Sequence, residues 1–152
     1  MEIRLRKARK EDIDEFVKVY RSAYKGMKKY WYKRDKIIRW YFRWLLKRDP
    51  EGVFVAELGE KIVGFIACDS NWEDLFEEKL GEIHELVVMN EYKGKGIGSL
   101  LLKKGEEYLK AKGCSIIELW VGKKNPARKF YEKFGYEEEG ENEDWIRMVK
   151  RC

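Results

Sequence analysis

The chain has one histidine, two prolines and three cysteines among 152 residues. Cys68, Cys114 and Cys152 are odd in number and share no metal-ligand spacing, so no disulfide framework and no metal site is expected. Cys68 and Cys114 fall in strand-like runs, where cysteine acts as a small hydrophobe. No apolar run approaches the roughly 18 residues of a membrane helix, and the N-terminus is charged from Glu2 onward. Neither a membrane span nor a signal peptide is expected, and the expected compartment is the cytoplasm. Charge of one sign is also scarce: 33 basic residues against 28 acidic leave a net +5, which fits ordinary solubility before it fits a polyanion partner.

Charge of both signs is abundant. Charged residues make up 40% of the chain, and with so few prolines this suggests surface ion pairing. Disorder is excluded by 44% hydrophobic and 14% aromatic residues. The length suits one domain, residues 1–152, with a real core.

Periodicity orders the chain. Ile3 and Leu5 alternate with arginines, as in a short strand. A helix follows from Lys10-Glu11-Asp12 to Gly26, then a basic aromatic connector over 27–34. A second helix runs from Asp35 to Arg48, and Asp49-Pro50 stops it. Residues 53–58 and 62–68 read as a hairpin about Gly59-Glu60-Lys61. Residues 69–81 read as an acidic loop around Trp72. A strand at 82–89, a helix at 99–112 and a strand at 115–121 form one crossover unit, so those strands should be parallel. Asn125 and Pro126 open a last helix and Gly135 closes it. Strands at 136–138 and 145–149 flank an acidic turn, 139–144. The expected fold class is α/β (α+β by some schemes): a mixed, mostly antiparallel central sheet with helices on both faces.

Residues 93–99, Lys-Gly-Lys-Gly-Ile-Gly-Ser, join the apolar run Leu86-Val87-Val88-Met89 to a helix. Unblocked N–H groups and a helix N-terminus make such a turn a cradle for pyrophosphate. The P-loop pattern fails at Gly98-Ser99. The dinucleotide fingerprint fails as well, because Ser99 stands where it needs glycine and the unit comes late in the chain.

The spacing Lys93-x-x-Gly96-x-Gly98 resembles the acetyl-coenzyme A motif of the GNAT N-acetyltransferase superfamily. The run Glu85 to Gly98 matches that family's strand–loop–helix. Asn125-Pro126-Ala127-Arg128-Lys129-Phe130-Tyr131-Glu132-Lys133-Phe134-Gly135-Tyr136 looks like its C-terminal signature. The resemblance implies acetyl transfer from acetyl-coenzyme A to a primary amine by direct attack. The acceptor would be a protein N-terminus, a lysine or a small molecule. It further implies that Leu86, Val87 and Val88 pair with the pantetheine arm. Lys93, Gly94, Lys95, Gly96, Ile97, Gly98 and Ser99 would then hold the pyrophosphate. Tyr131 would be the general acid, since an ordinary phenol stays protonated at neutral pH. Glu82 resembles the base of histone acetyltransferases. Glu82 and His84 together occupy the positions of a histidine pair in serotonin N-acetyltransferase. His84 is the only histidine, a side chain suited to proton relay. Glu85 faces the other side unless a bulge resets the parity, and a neutral amine or water would remove the need for a base.

Three positions depart from the pattern. Lys93 replaces Arg or Gln, Asn90 replaces a frequent proline, and Asn125 is shifted by one residue, which leaves it a coenzyme ligand or only a helix cap. The acceptor site is expected from residues 24–44 and 137–145. There the aromatics Tyr24, Tyr30, Trp31, Tyr32, Trp40 and Tyr41 are candidates for a wall facing a cation or an aromatic amine, with the core the first expectation for Trp40, Tyr41 and Trp44. Gly105, in mid-helix, is expected to let its helix approach the sheet. Two other classes remain: a non-catalytic acyl-coenzyme A sensor, and a nucleic-acid-binding domain using the basic segment 28–34. The acidic turn opposes the latter. A homodimer stays open.

Overall fold

The computed structural model describes residues 2–73 and 79–152. Seven strands form one sheet in the order β1-β2-β3-β4-β5-β7-β6. They are β1 (Ile3–Lys7), β2 (Val53–Leu58), β3 (Lys61–Trp72), β4 (Leu80–Val88), β5 (Ile116–Gly122), β6 (Glu137–Asn142) and β7 (Trp145–Arg151). Every pairing is antiparallel except β4 with β5. The crossover between that parallel pair is α3 (Ile97–Ala111), as the sequence predicts.

Two apolar layers flank the sheet. On one face, α1 (Ile13–Ala23) and α2 (Asp35–Arg48) bury Phe16, Tyr20, Ile38 and Phe42 against Val53, Val55 and Phe65. On the other, α3 and α4 (Ala127–Lys133) pack Leu101, Leu102, Leu109 and Tyr131 against Ile66, Ile117 and Leu119. Both helical stripes follow the 3.6-residue period of their apolar residues. Gly105 is the point of closest approach: a Cβ there would lie 2.7 Å from Cys68 Sγ and from Ile66 Cδ1. Cys68 and Cys114 are buried in that layer, as small hydrophobes.

Four expectations need correction, the first being the acidic turn 139–144: β6 runs through Asn142 and pairs with β7, which leaves a turn of two residues, 143–144. The acidic loop is shorter than residues 69–81, because β3 continues to Trp72 and pairs it with Leu80. Beyond Asp69 the strand is held by Asp49, which accepts from the Ser70 N–H and hydroxyl, and Arg48 offsets the charge of Asp69; residues 74–78 of that loop lie outside the described residues. Trp40 is not core: it is 55% exposed, since α2 turns its opposite stripe, Ile38, Phe42 and Leu45, inward. Trp44 is only partly buried.

Candidate functional site

β4 and β5 stay paired only from Leu80–Ile116 to Ile83–Leu119. Beyond Ile83, β4 runs on to Val88 and β5 to Gly122 without pairing, which leaves a gap in the middle of the sheet. A cleft of about 790 Å³ occupies it. One wall is Glu85 to Val88 with Lys93, Gly94, Gly96, Ile97, Gly98 and Ser99 beyond them; the other is Leu119 to Gly122 with Asn125, Phe130 and Tyr131.

At the glycine end, Gly94 and Gly96 have φ of +78° and +85°, a region that L side chains rarely adopt. A Cβ on either would meet nothing within 4 Å, so the space above this turn is open. Gly96 caps α3, and a helix start offers unsatisfied N–H groups to an anion. A pyrophosphate fits these surroundings. Lys93 points elsewhere: its Nζ donates to the Ala23 carbonyl at 2.7 Å, and desolvation lowers its pKa. Lys95 is exposed and outside the cleft wall. Asn125 lines the cleft, and its Oδ1 accepts the N–H of Ala127, the first residue of α4, at 2.9 Å.

At the middle of the cleft a bulge interrupts β4. Ala67 pairs with Glu85 and Cys68 with Ile83, so His84 is the extra residue. One residue of slip reverses the side-chain parity. Glu85 therefore turns toward α1 and α2, where it accepts hydrogen bonds from the Tyr24 hydroxyl and from the Tyr41 hydroxyl at 2.8 Å. Burial pushes its pKa up to about 7, against the pull of the two tyrosines. Tyr41 thus belongs to the cleft as well as to the core. The sequence signal for Glu85 is the bulge alone, which no single-sequence pattern locates.

His84 lines the cleft with its ring between Trp44 and Trp72. Its Nε2 lies 2.9 Å from Asp69 Oδ2. Although burial opposes it, hydrogen bonds from His84 and Arg48 bring the Asp69 pKa down to about 2. An ionised carboxylate only accepts, so that ring nitrogen carries the hydrogen.

Glu82 is placed outside the cleft wall. It is 2% exposed, opposite Asp69 on β3 and Glu118 on β5. Neither of its side-chain oxygens has a hydrogen-bond partner of ordinary geometry. Desolvation, then the neighbouring Glu118, hold its pKa well above the usual carboxylate range. Where the structure puts it, Glu82 is a neutral acid in the sheet and not a group that reaches the cleft.

Tyr131 is buried and faces the cleft from α4. Burial, then the Glu85 charge, raise its pKa, so the phenol keeps its proton. The cleft thus pairs an anion cradle and a held phenolic proton with a carboxyl that titrates near 7. That set can bind a phosphorylated carrier, take a proton from an ammonium and return one to a leaving group.

The acetyltransferase (GNAT) family profile matches residues 13–136. An uncharacterized N-acetyltransferase of Methanocaldococcus jannaschii is 48% identical over 97% of this chain, which spans 66% of that relative's length. A crystal structure from Pyrococcus horikoshii superposes with a TM-score of 0.90 at 41% identity, covering 99% of both chains. An N-acetyltransferase of Thermoplasma acidophilum in complex with coenzyme A shares the fold, with a TM-score of 0.79 at 24% identity over the full length of both chains. The cradle, the split strands and these likenesses agree: the chain belongs to the acetyltransferase (GNAT) family, as an acyltransferase domain with acetyl-coenzyme A as its cosubstrate.

Proposed function

We propose that the protein is an N-acetyltransferase that moves an acetyl group from acetyl-coenzyme A to a primary amine by direct attack. Bound acetyl-coenzyme A would supply an acetyl thioester: an N–C bond forms, the C–S bond breaks, and the amine's lost proton is balanced by one gained at sulfur. The N–H groups of residues 94–99 hold the pyrophosphate. The unpaired edge of Leu86 to Val88 takes the pantetheine arm as an added strand. Glu85 Oε accepts the ammonium's proton, and Tyr131 Oη returns one at the sulfur end. His84, with Asp69 behind it, faces the same space and relays protons between Glu85 and solvent. Asn125 orders the α4 end of the coenzyme wall.

The observation that carries this reading is the Glu85 carboxyl, at home near neutrality, in the same gap as the Gly94–Gly98 turn and Tyr131. In this assignment the base is Glu85, with Glu82 left in the sheet. Calorimetry with acetyl-coenzyme A, then thiol release across an amine panel, tests it. Expected are saturable binding and amine-dependent thiol release. No binding by folded protein overturns the reading, and binding without turnover of any amine favours an acyl-coenzyme A sensor.

A further inference from the structure

The acceptor end of the cleft is an aromatic cage with a single carboxylate. Tyr24 and Trp31 stand parallel, with ring centroids 6.2 Å apart and planes 6° apart, and Tyr32 meets Tyr41 edge-on at 5.1 Å. Trp31 already receives one ammonium on its face: Lys33 Nζ lies 3.6 Å from the ring centroid. Glu85 is the only carboxylate among the described lining residues, and no arginine is there. Lys93 is the only lysine among the described lining residues, and its ammonium is engaged by the Ala23 carbonyl, next to Tyr24.

The mouth over the cage is strapped. Tyr30, with a φ of +80°, lays its ring on Gly122, where a Cβ would come within 2.6 Å. Its hydroxyl accepts the Lys124 N–H at 3.3 Å, and its ring meets Trp145 edge-on at 5.2 Å. Lys29 pairs with Asp144 at 3.5 Å, which links the α1–α2 connector to the β6–β7 turn. Asp144 lies in that turn, and Glu141, on β6 beside it, is already paired with Lys123.

We infer that the acceptor is a small primary monoamine on an apolar or aromatic body, without a carboxylate. The inference rests on the acetyl-transfer reading for its chemistry but not for its binding. The ammonium sits at Glu85 and the apolar body lies among Tyr24, Trp31 and Tyr41, where cation–π contact adds to the charge pairing. An amino acid would bring a carboxylate that meets no arginine among the described lining residues, and the two ammonium groups nearest the cage are already engaged, Lys93 by the Ala23 carbonyl and Lys33 by the Trp31 ring. A polyamine would bring further ammonium groups with no second carboxylate. A peptide would need an exit for its chain where Tyr30 and the Lys29–Asp144 pair cross.

The test uses the whole chain. Thiol-release kcat/KM is measured for 2-phenylethylamine, phenylalanine, spermidine and a short peptide with a free N-terminus. Benzyltrimethylammonium, which cannot be acetylated, is titrated by tryptophan fluorescence. The expected kcat/KM for 2-phenylethylamine is at least about tenfold that for spermidine or the peptide, and about 100-fold that for phenylalanine. Benzyltrimethylammonium should bind, compete with the amine, and lose about fivefold in affinity in Trp31→Ala but little in Trp31→Phe. A peptide or spermidine that outperforms 2-phenylethylamine overturns the inference, as does failure of benzyltrimethylammonium to bind. If benzyltrimethylammonium binds with this Trp31 dependence while no amine is acetylated, the cage stands and the transfer reading fails.

Discussion

In the proposed transfer, Glu85 and Tyr131 divide the proton work by their surroundings. Both are buried, and burial disfavours the charged form of each. For the carboxyl that means a pKa of about 7, and for the phenol a proton that is never released near neutrality. The rate should therefore rise with pH through about 7 as Glu85 ionises. In Glu85→Gln that limb should vanish and kcat/KM at pH 7.5 should fall about 100-fold, read from a thiol-release pH profile. Retention of the limb would assign it to another group. The same group affects stability. Its folded-state pKa lies above its unfolded value, so the folded chain holds a proton that the unfolded chain gives up. That contribution is complete below the unfolded value and is lost as pH climbs through about 7. Urea denaturation at pH 5 and pH 8 should show the stability of Glu85→Gln improving relative to the parent at the higher pH. Tyr131→Phe should lower kcat about 100-fold and leave acetyl-coenzyme A affinity within about twofold by calorimetry. An unchanged kcat would reduce Tyr131 to a core aromatic.

At the scale of elements, β4 and α3 build the site. β4 carries a bulge at His84 that turns Glu85 toward the tyrosines of α1 and α2. α3 begins on the glycine turn and closes on the sheet at Gly105. Gly105→Ala tests that closeness. Helix propensity alone would favour alanine by about 1 kcal/mol. A Cβ 2.7 Å from both Cys68 Sγ and Ile66 Cδ1 outweighs it, and overpacking in a close-packed layer costs about 1–3 kcal/mol. A net loss of stability is expected in urea titration; a gain would mean that Ile66 and Cys68 shift aside freely. The helices and the parallel crossover were legible because the helical period is local. The bulge was not, because it is a mismatch between two strands whose partners, Cys68–Ile83 and Ala67–Glu85, lie far apart in sequence. The end of β3 was missed for a related reason. Asp69 looks like a loop residue until Arg48 of α2 and His84 of β4 are brought to it.

For the whole molecule, the coenzyme should act as a staple across the split sheet. A ligand touching β4, α3 and the α4 wall binds the folded chain alone. At acetyl-coenzyme A concentrations near 100 times Kd it should therefore add about 2.7 kcal/mol. For a chain of this size that is a rise in Tm of about 5–10 °C by differential scanning calorimetry. No shift at saturating coenzyme would argue against the cleft as its site. Surface charge contributes less than its density suggests. Pairs such as Lys7–Glu51 and Lys18–Glu15 are exposed, and exposed pairs are worth about 0–1 kcal/mol each.

Taken by itself, the sequence determined the family, the donor and the element order. Gly94-Lys95-Gly96-Ile97-Gly98 and the run to Tyr136 are contiguous, and their conformational needs can be read without neighbours. Tertiary structure alone decided which acid faces the cleft, that Lys93 turns to Ala23, and that Tyr41 serves the cleft as well as the core. These depend on register, on burial and on groups far apart in sequence. A carboxyl at position 82 and one at position 85 look alike in one dimension. Only the sheet's bulge and the tyrosines of two helices distinguish them.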